Sequence, residues 1–227
     1  MIRVYAVQAP DAMEAVGPKA LETRRLGRLQ RIRNPQERGL AVAAEILARW
    51  AVAEERCLDP TDVHLERDAN GKPFVPGVPE VHLNLSHAGE WAVCATGAAP
   101  LGIDVEQEIA LEVDVVTRIL SSEEARHLMQ APQDQRSRRF FELWTLKESY
   151  AKALGLGWRI SPDSFTISCG LSNEVVVCGP NARPGYHWRR YRIARDYPVS
   201  VCAREDAFPP GIALATPGVL RDFVGAA

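Results

Sequence analysis

Trp91-Ala92-Val93-Cys94-Ala95 and Tyr197-Pro198-Val199-Ser200-Val201-Cys202-Ala203 end two long stretches of this chain in the same way, an aromatic residue followed by a segment closing on Val-Cys-Ala. Upstream of the first, Glu37–Glu55 carries Leu40, Ala43, Ala44, Leu47 and Trp50/Ala51 at helical spacing, and Val81–Ser86 reads as a strand. Upstream of the second, Arg138–Leu154 reads as a long helix and Trp188–Ala194 as a strand. From helix start to Val-Cys-Ala is about 55 residues in one stretch and about 60 in the other, the mark of a repeated unit. The expected fold is therefore α+β: two similar α+β subdomains related by pseudo-twofold symmetry, residues 1–100 and 101–227, with the site in the cleft between them. Further strands are expected at Ile2–Val7, Glu90–Ala95, Leu101–Glu106, Ser164–Ser168, Glu174–Val177 and Ser200–Ala203. Ser121–Met129 reads as a helix opened by a serine with acids in its first turn.

The 227 residues suffice for one large domain or two small ones, burying roughly 70% of the unfolded surface without a disulfide or zinc staple. Hydrophobic residues at 46% and charged residues at 25% exclude a disordered chain. No apolar run approaches the ~18 residues of a membrane span, and the N-terminus lacks the apolar core of a secretory signal. A net charge of −2 removes the bulk electrostatic case for nucleic acid. The five cysteines form no CxxC pair and are odd in number, which fits thiols in a reducing cytoplasm.

The small total charge hides a segregation. From Lys19 to Arg38 seven basic residues face two acids, a net +5. From Leu101 to Glu124 seven acids face Arg118 alone, a net −6. Such a pair of patches suits a polyanion held partly by cations and partly through a metal, or else two solvated faces.

Three motifs carry chemistry. In Gly102-Ile103-Asp104-Val105-Glu106, residues two apart share a strand face, so Asp104 and Glu106 project together while Ile103 and Val105 pack inward. Adjacent carboxylates repel unless a cation lies between them, and hard oxygen ligands select magnesium. In the helix bearing Leu143-Trp144-Thr145-Leu146-Lys147-Glu148-Ser149-Tyr150-Ala151-Lys152, Glu148 and Lys152 are four apart on one face. They read either as a surface ion pair or as a third metal carboxylate or base beside a phosphate-binding lysine. Leu83-Asn84-Leu85-Ser86-His87-Ala88-Gly89 offers a hydroxyl, an imidazole and turn amides, a phosphate cradle or simply a hydrogen-bonded turn. A serine nucleophile paired with its neighbour is disfavoured, since adjacent strand side chains point opposite ways and no G-x-S-x-G elbow is present. His64, His82, His127 and His187 show no metal-ligand spacing.

Gly71-Lys72-Pro73, residues 84–91 (NLSHAGEW), 102–106 (GIDVE) and 141–157 (FELWTLKESYAKALGLG), in that order, resemble the 4′-phosphopantetheinyl transferases of the double-length, surfactin-synthetase-activating type. The resemblance runs from about Arg24 to Ala203. It implies transfer of the phosphopantetheine arm of coenzyme A to a serine of an apo acyl or peptidyl carrier protein, releasing 3′,5′-ADP. By resemblance, Asp104, Glu106 and Glu148 hold Mg²⁺, and Lys152 and Lys147 meet the charge developing on phosphate and leaving group. The resemblance also implies that Arg38, Lys72, Ser86, His87 and Lys152, with Arg25 and Arg28, bind coenzyme A. Glu148, Glu124 or a metal-activated water is the general base. The Arg136-Ser137-Arg138-Arg139 stretch and Arg126 are candidates for steering an acidic carrier. A monomer is expected, because an internal pseudo-dimer builds its own cleft. The competing readings are a Mg²⁺-dependent hydrolase of a nucleotide or coenzyme A pyrophosphate, and a non-catalytic binder of carrier protein or coenzyme A.

Overall fold

In the computed structural model of the chain, residues 1–10, 12, 29–59, 62–156, 159–169, 175–216 and 218–220 are described. Two antiparallel ribbons organise them. The first joins β1 (Arg3–Gln8), β5 (Trp91–Gly97) and β4 (His82–Ala88), and the second joins β6 (Leu101–Val105), β10 (Tyr197–Ala203) and β9 (His187–Ala194). A long helix follows β1 and another follows β6 in sequence: α1 (Pro35–Arg56) and α4 (Gln133–Leu154). A short hairpin follows each helix, β2/β3 (Glu66–Arg67, Pro73–Phe74) and β7/β8 (Thr166–Cys169, Val175–Cys178). The described elements thus repeat one order: strand, long helix, small hairpin, two strands.

Strand alternation explains the layering. On β1 and β5, Val4, Ala6, Val93 and Ala95 turn toward Ile103, Val105, Val199 and Val201 of the second sheet, a shared apolar layer between the two sheets. The opposite faces, with Tyr5, Val7, Ala92 and Cys94, pack under Leu40, Ala43, Ala44 and Leu47 of α1. Cys202 of β10 packs with Leu146, Tyr150 and Ala153 of α4. The order is helix, sheet, sheet, helix. The sheets also meet edge to edge, where Ile103 N on β6 donates to the side-chain oxygen of Asn84 on β4 at 3.0 Å.

Local chemistry sets the ends of the long helices. Asn34 caps α1, its side-chain oxygen accepting from Gln36 N and Glu37 N, and Pro35 supplies a missing amide where none is needed. Gly155, at φ +68°, ends α4 in the left-handed conformation that a glycine adopts without strain. α4 begins at Gln133, five residues before the sequence-based boundary; its first turns are polar and Pro132 offers no side-chain cap, so no apolar period marks them. Helix α2 (Val113–Ile119) was not expected: it is rich in β-branched residues and lacks a side-chain cap, and Val116 holds it against Leu120, Leu128, Phe140 and Phe141. α3 (Ser122–Gln130) opens on the Ser121/Glu124 capping box.

The tail crosses back. β11 (Ala213–Leu214) runs parallel to β1 at the first sheet's outer edge, so part of the segment after residue 100 completes the first sheet. The four cysteines with described side chains are free thiols. Among the described residues no helix is long and apolar enough to cross a membrane.

Candidate active site

β4 and β6 form the floor of a cleft of about 470 Å³ and the C-terminal half of α4 forms its wall. Gly102 is what lets α4 come this close. A Cβ there would run into the Ser149 carbonyl oxygen and the Ala153 nitrogen, both main-chain atoms of the helix. Two residues on, and on the same strand face, Asp104 lies 3% exposed beneath α4.

Lys152 Nζ donates to Asp104 Oδ1 at 2.6 Å, to Ser86 Oγ at 3.0 Å and to the Ile103 carbonyl at 3.2 Å. Ser86 Oγ donates in turn to Asp104 Oδ1 at 2.8 Å. One carboxylate oxygen therefore takes both bonds, while Oδ2 is buried with no hydrogen-bond partner among the described residues. Trp144 Nε1 donates to Glu106 Oε1 at 2.9 Å and orients that carboxylate. Glu148, one helical turn along from Trp144, also lines the cleft. Lys152 pairs with Asp104 rather than with Glu148, its partner at i−4.

Burial raises the Glu106 carboxyl to about 7, with the Asp104 charge adding to the rise and the Trp144 bond opposing it. Burial, then Asp104, pushes Glu148 up as well. Burial pushes Asp104 up against the pull of Lys152 and Ser86. When all three carboxyls are ionised they stand against one ammonium, a balance of −2 that a divalent cation would neutralise. Among the described residues no three His, Cys, Asp or Glu side chains converge as a ready-made metal cage. Magnesium does not require one: one or two carboxylates suffice when water and phosphate oxygens complete its shell. The unpartnered Asp104 oxygen and the oxygen-only donor set fit such an ion.

His87 lies on the other face of β4 from Ser86, within electrostatic reach of Glu37 in the first turn of α1, and burial lowers its pKa. Lys72 also lines the cleft, but its Nζ donates to the Leu101 and Lys152 carbonyls at 3.0 and 3.1 Å, tying β6 to the C-terminal end of α4. Arg67 and Asn70 were not singled out in the sequence; both line the cleft, Arg67 at the end of β2 and Asn70 in the turn before Lys72, and Asn70 Nδ2 donates to the Gly155 carbonyl at 2.9 Å. Their one sequence signal is position, beside Gly71-Lys72-Pro73.

Other expected residues fall elsewhere. Lys147 points to the opposite side of α4, 1% exposed, where Nζ donates to both Glu124 oxygens and to the Phe165 carbonyl, each at 2.7 Å. Glu124 also accepts from Ser121 N and Ile167 N, each at 2.7 Å, so its lone pairs are taken. The expectations of Lys147 as a charge-stabilising group and Glu124 as a base are corrected accordingly: the pair locks α3 and β7 onto α4. Arg38 is not among the described cleft-lining residues, and its Nη1 donates to the Ile32 carbonyl at 3.4 Å. Arg25 and Arg28 lie outside the described residues. Arg136 is committed to the Met129 and Ala131 carbonyls, Arg138 to Glu142 and Arg139 to Gln135.

Residues 100–202 match the model of the 4′-phosphopantetheinyl transferase superfamily, and residues 16–99 match that of the 4′-phosphopantetheinyl transferase N-terminal region. A 4′-phosphopantetheinyl transferase of Bacillus subtilis is 30% identical over 197 residues, 87% of this chain and 88% of that one. The 4′-phosphopantetheinyl transferase Sfp of Bacillus subtilis strain 168 is 29% identical over 172 residues, 76% of this chain and 77% of its own. The solved holo-[acyl-carrier-protein] synthase of Neisseria meningitidis covers 47% of this chain and 98% of its own at 18% identity, with a TM-score of 0.40. With relatives matched over most of both chains, this protein belongs to the 4′-phosphopantetheinyl transferase superfamily.

Proposed function

We propose that the protein transfers the 4′-phosphopantetheine arm of coenzyme A to a serine of an apo acyl or peptidyl carrier protein in a Mg²⁺-dependent reaction, as a cytoplasmic monomer. The observation that carries this reading is Asp104: one oxygen neutralised by Lys152 and Ser86, the other buried and unpartnered in a cleft shared with Glu106 and Glu148. Asp104, Glu106 and Glu148 are the residues that would hold the ion, which supplies charge neutralisation on the pyrophosphate.

In the reaction, the carrier serine oxygen forms a bond to the phosphorus that bears the pantetheine. The bridging P–O bond breaks, and its electron pair leaves with 3′,5′-ADP. Lys152, an ammonium already at the cleft wall, meets charge developing on the phosphates. Glu148 has no hydrogen-bond partner among the described residues and a carboxyl raised by burial, so it is suited to take the serine proton. His87, Lys72, Ser86 and Arg38, with Arg25 and Arg28, are assigned to coenzyme A. His87 acts there as an imidazole hydrogen-bond donor, while Lys72 and Ser86 chiefly fix the walls. The division of labour follows the chain: residues 1–100 supply coenzyme A contacts, and residues 101–227 the carboxylates and Lys152.

The test is the intact mass of an apo carrier protein after incubation with this protein, coenzyme A and Mg²⁺. A gain of one phosphopantetheinyl arm that disappears with EDTA supports the proposal. Coenzyme A cleaved with no gain on several carriers would support a hydrolase instead, and binding without consumption a non-catalytic binder. Charge reversal at Arg126 and Arg139 is expected to raise the carrier-protein KM at low salt and leave that for coenzyme A unchanged.

A further inference from the structure

Beyond β6 the chain keeps alternating, so that Asp104, Glu106 and Glu108 each meet a partner on or beside α4. Lys152 holds Asp104 and Trp144 holds Glu106. The third contact differs, because the helix there presents a second carboxylate, Glu142. Arg192 of β9 bridges the two: Nη1 donates to Glu108 Oε1 and Nη2 to Glu142 Oε1, both at 2.6 Å. Nη1 also donates to the Arg195 carbonyl at 2.6 Å, which fixes the guanidinium from behind. Arg138 reaches the same Glu142 oxygen at 3.0 Å, but it is exposed and has no bond to Glu108 among the described contacts. Without Arg192, two acids would face each other across the width of one guanidinium, next to the Glu106–Trp144 bond. The fork of an arginine suits this place, since a lysine offers one point charge for two acceptors.

The geometry points to Arg192 as a positioning residue of the active site: by bridging Glu108 to Glu142 it holds the end of β6 against α4 and so presets Glu106 for a divalent ion. This rests on the metal-dependent reading above. A residue holding a ligand in place from behind commonly changes metal affinity ten- to a hundredfold when removed.

The experiment is Mg²⁺ titration of the substrate-free protein by calorimetry, together with solvent exchange of the Trp144 indole N–H by NMR. Arg192→Ala is expected to weaken Mg²⁺ binding by about tenfold or more and to speed Trp144 exchange, while the KM for coenzyme A measured at saturating Mg²⁺ stays unchanged. Arg192→Lys should recover part of both. The triple variant Glu108→Gln/Glu142→Gln/Arg192→Ala, which removes the repulsion with the bridge, should bind Mg²⁺ more tightly than Arg192→Ala but more weakly than wild type. The comparison with wild type keeps the test open if the single variant does not fold, and wild-type affinity in the triple variant would overturn the inference. Unchanged Mg²⁺ affinity and unchanged Trp144 exchange in Arg192→Ala would overturn the inference. Wild-type protein that binds no Mg²⁺ would overturn the metal reading itself, and this inference with it.

Discussion

The two halves of the molecule share an order of elements and differ at the candidate site. Tyr5 pairs with Cys94 across the first sheet as Gly102 pairs with Cys202 across the second, which aligns β1 with β6. Tyr5 fills the gap to its helix with an aromatic ring, edge to face with Trp50 at 5.1 Å. Gly102 leaves no side chain, and α4 moves in until its backbone would collide with a Cβ. Two residues on, Val7 in the first half is apolar and buried, whereas Asp104 in the second meets Lys152. What the halves keep in common is structural. Arg49 donates to the Val63 carbonyl and Lys147 to the Phe165 carbonyl, both at 2.7 Å, each a buried cation tying a long helix to the start of a small hairpin. The comparison separates a shared tether from an added site, and it explains why Lys147, despite standing next to Glu148, is absent from the cleft.

Asp104→Asn tests the added site most severely. It keeps the shape and the Ser86 bond but loses the charge, so transfer should fall by about 10²–10³-fold with coenzyme A saturating. The thermal midpoint without divalent ions should stay near wild type; measurable turnover near wild type would place the reaction elsewhere.

Lys147→Met tests the shared tether. It leaves the Glu124 carboxylate buried and uncompensated, which should cost about 3–5 kcal/mol in chemical denaturation. Molecules that remain folded should keep the wild-type KM for coenzyme A. The same substitution at Arg49 should also act on stability rather than on turnover, whereas a selective loss of kcat in the Lys147 variant would return that residue to the catalytic machinery.

The Glu106 carboxyl gives the second half a pH response of its own. The folded protein holds the Glu106 proton up to about pH 7, whereas the unfolded chain releases it near 4.5. Its contribution is therefore complete below 4.5 and is lost as pH rises through 7, a total of about 3 kcal/mol. In EDTA, Glu106→Gln should gain stability over wild type between pH 5 and pH 8, and Mg²⁺ should close that gap. A pH-independent difference between the two proteins would mean that Glu106 is ionised throughout.

Gly102→Ala should cost about 1–3 kcal/mol of stability from overpacking, since the added Cβ meets main-chain atoms of α4. Its loss of transfer should exceed what stability explains, because α4 carries Lys152 and Glu148 outward. If a variant at Gly102 were as active as wild type, the close approach of helix and strand would not be what builds the site.

Periodicity and caps made the large elements legible. The apolar stripe of α1, the Ser121/Glu124 box and the glycine after Leu154 are local signals, and each marks its element. Elements held by distant contacts left no such trace. α2 depends on Val116 reaching a cluster built by α3 and α4, and the two residues of β11 exist because β1 offers them an edge. In the site, the D-x-E alternation and the Gly71-Lys72-Pro73, Ser86-His87 and Glu148/Lys152 groups were readable as residue types. Their partners were not: Lys152 was as eligible to pair with Glu148 as with Asp104, and Arg192 carried no motif.

By itself, the sequence determined the residue chemistry and the strand and helix periods, including the placement of Asp104 and Glu106 on one strand face, since these follow from covalent order and backbone geometry. Only the tertiary structure decided which charges meet. Asp104 is 48 residues from Lys152, Lys147 is 23 from Glu124 and Arg192 is 84 from Glu108. Charges so far apart along the chain come together through sheet pairing and the close crossing of α4 over Gly102, and burial there gives each pairing its energetic consequence.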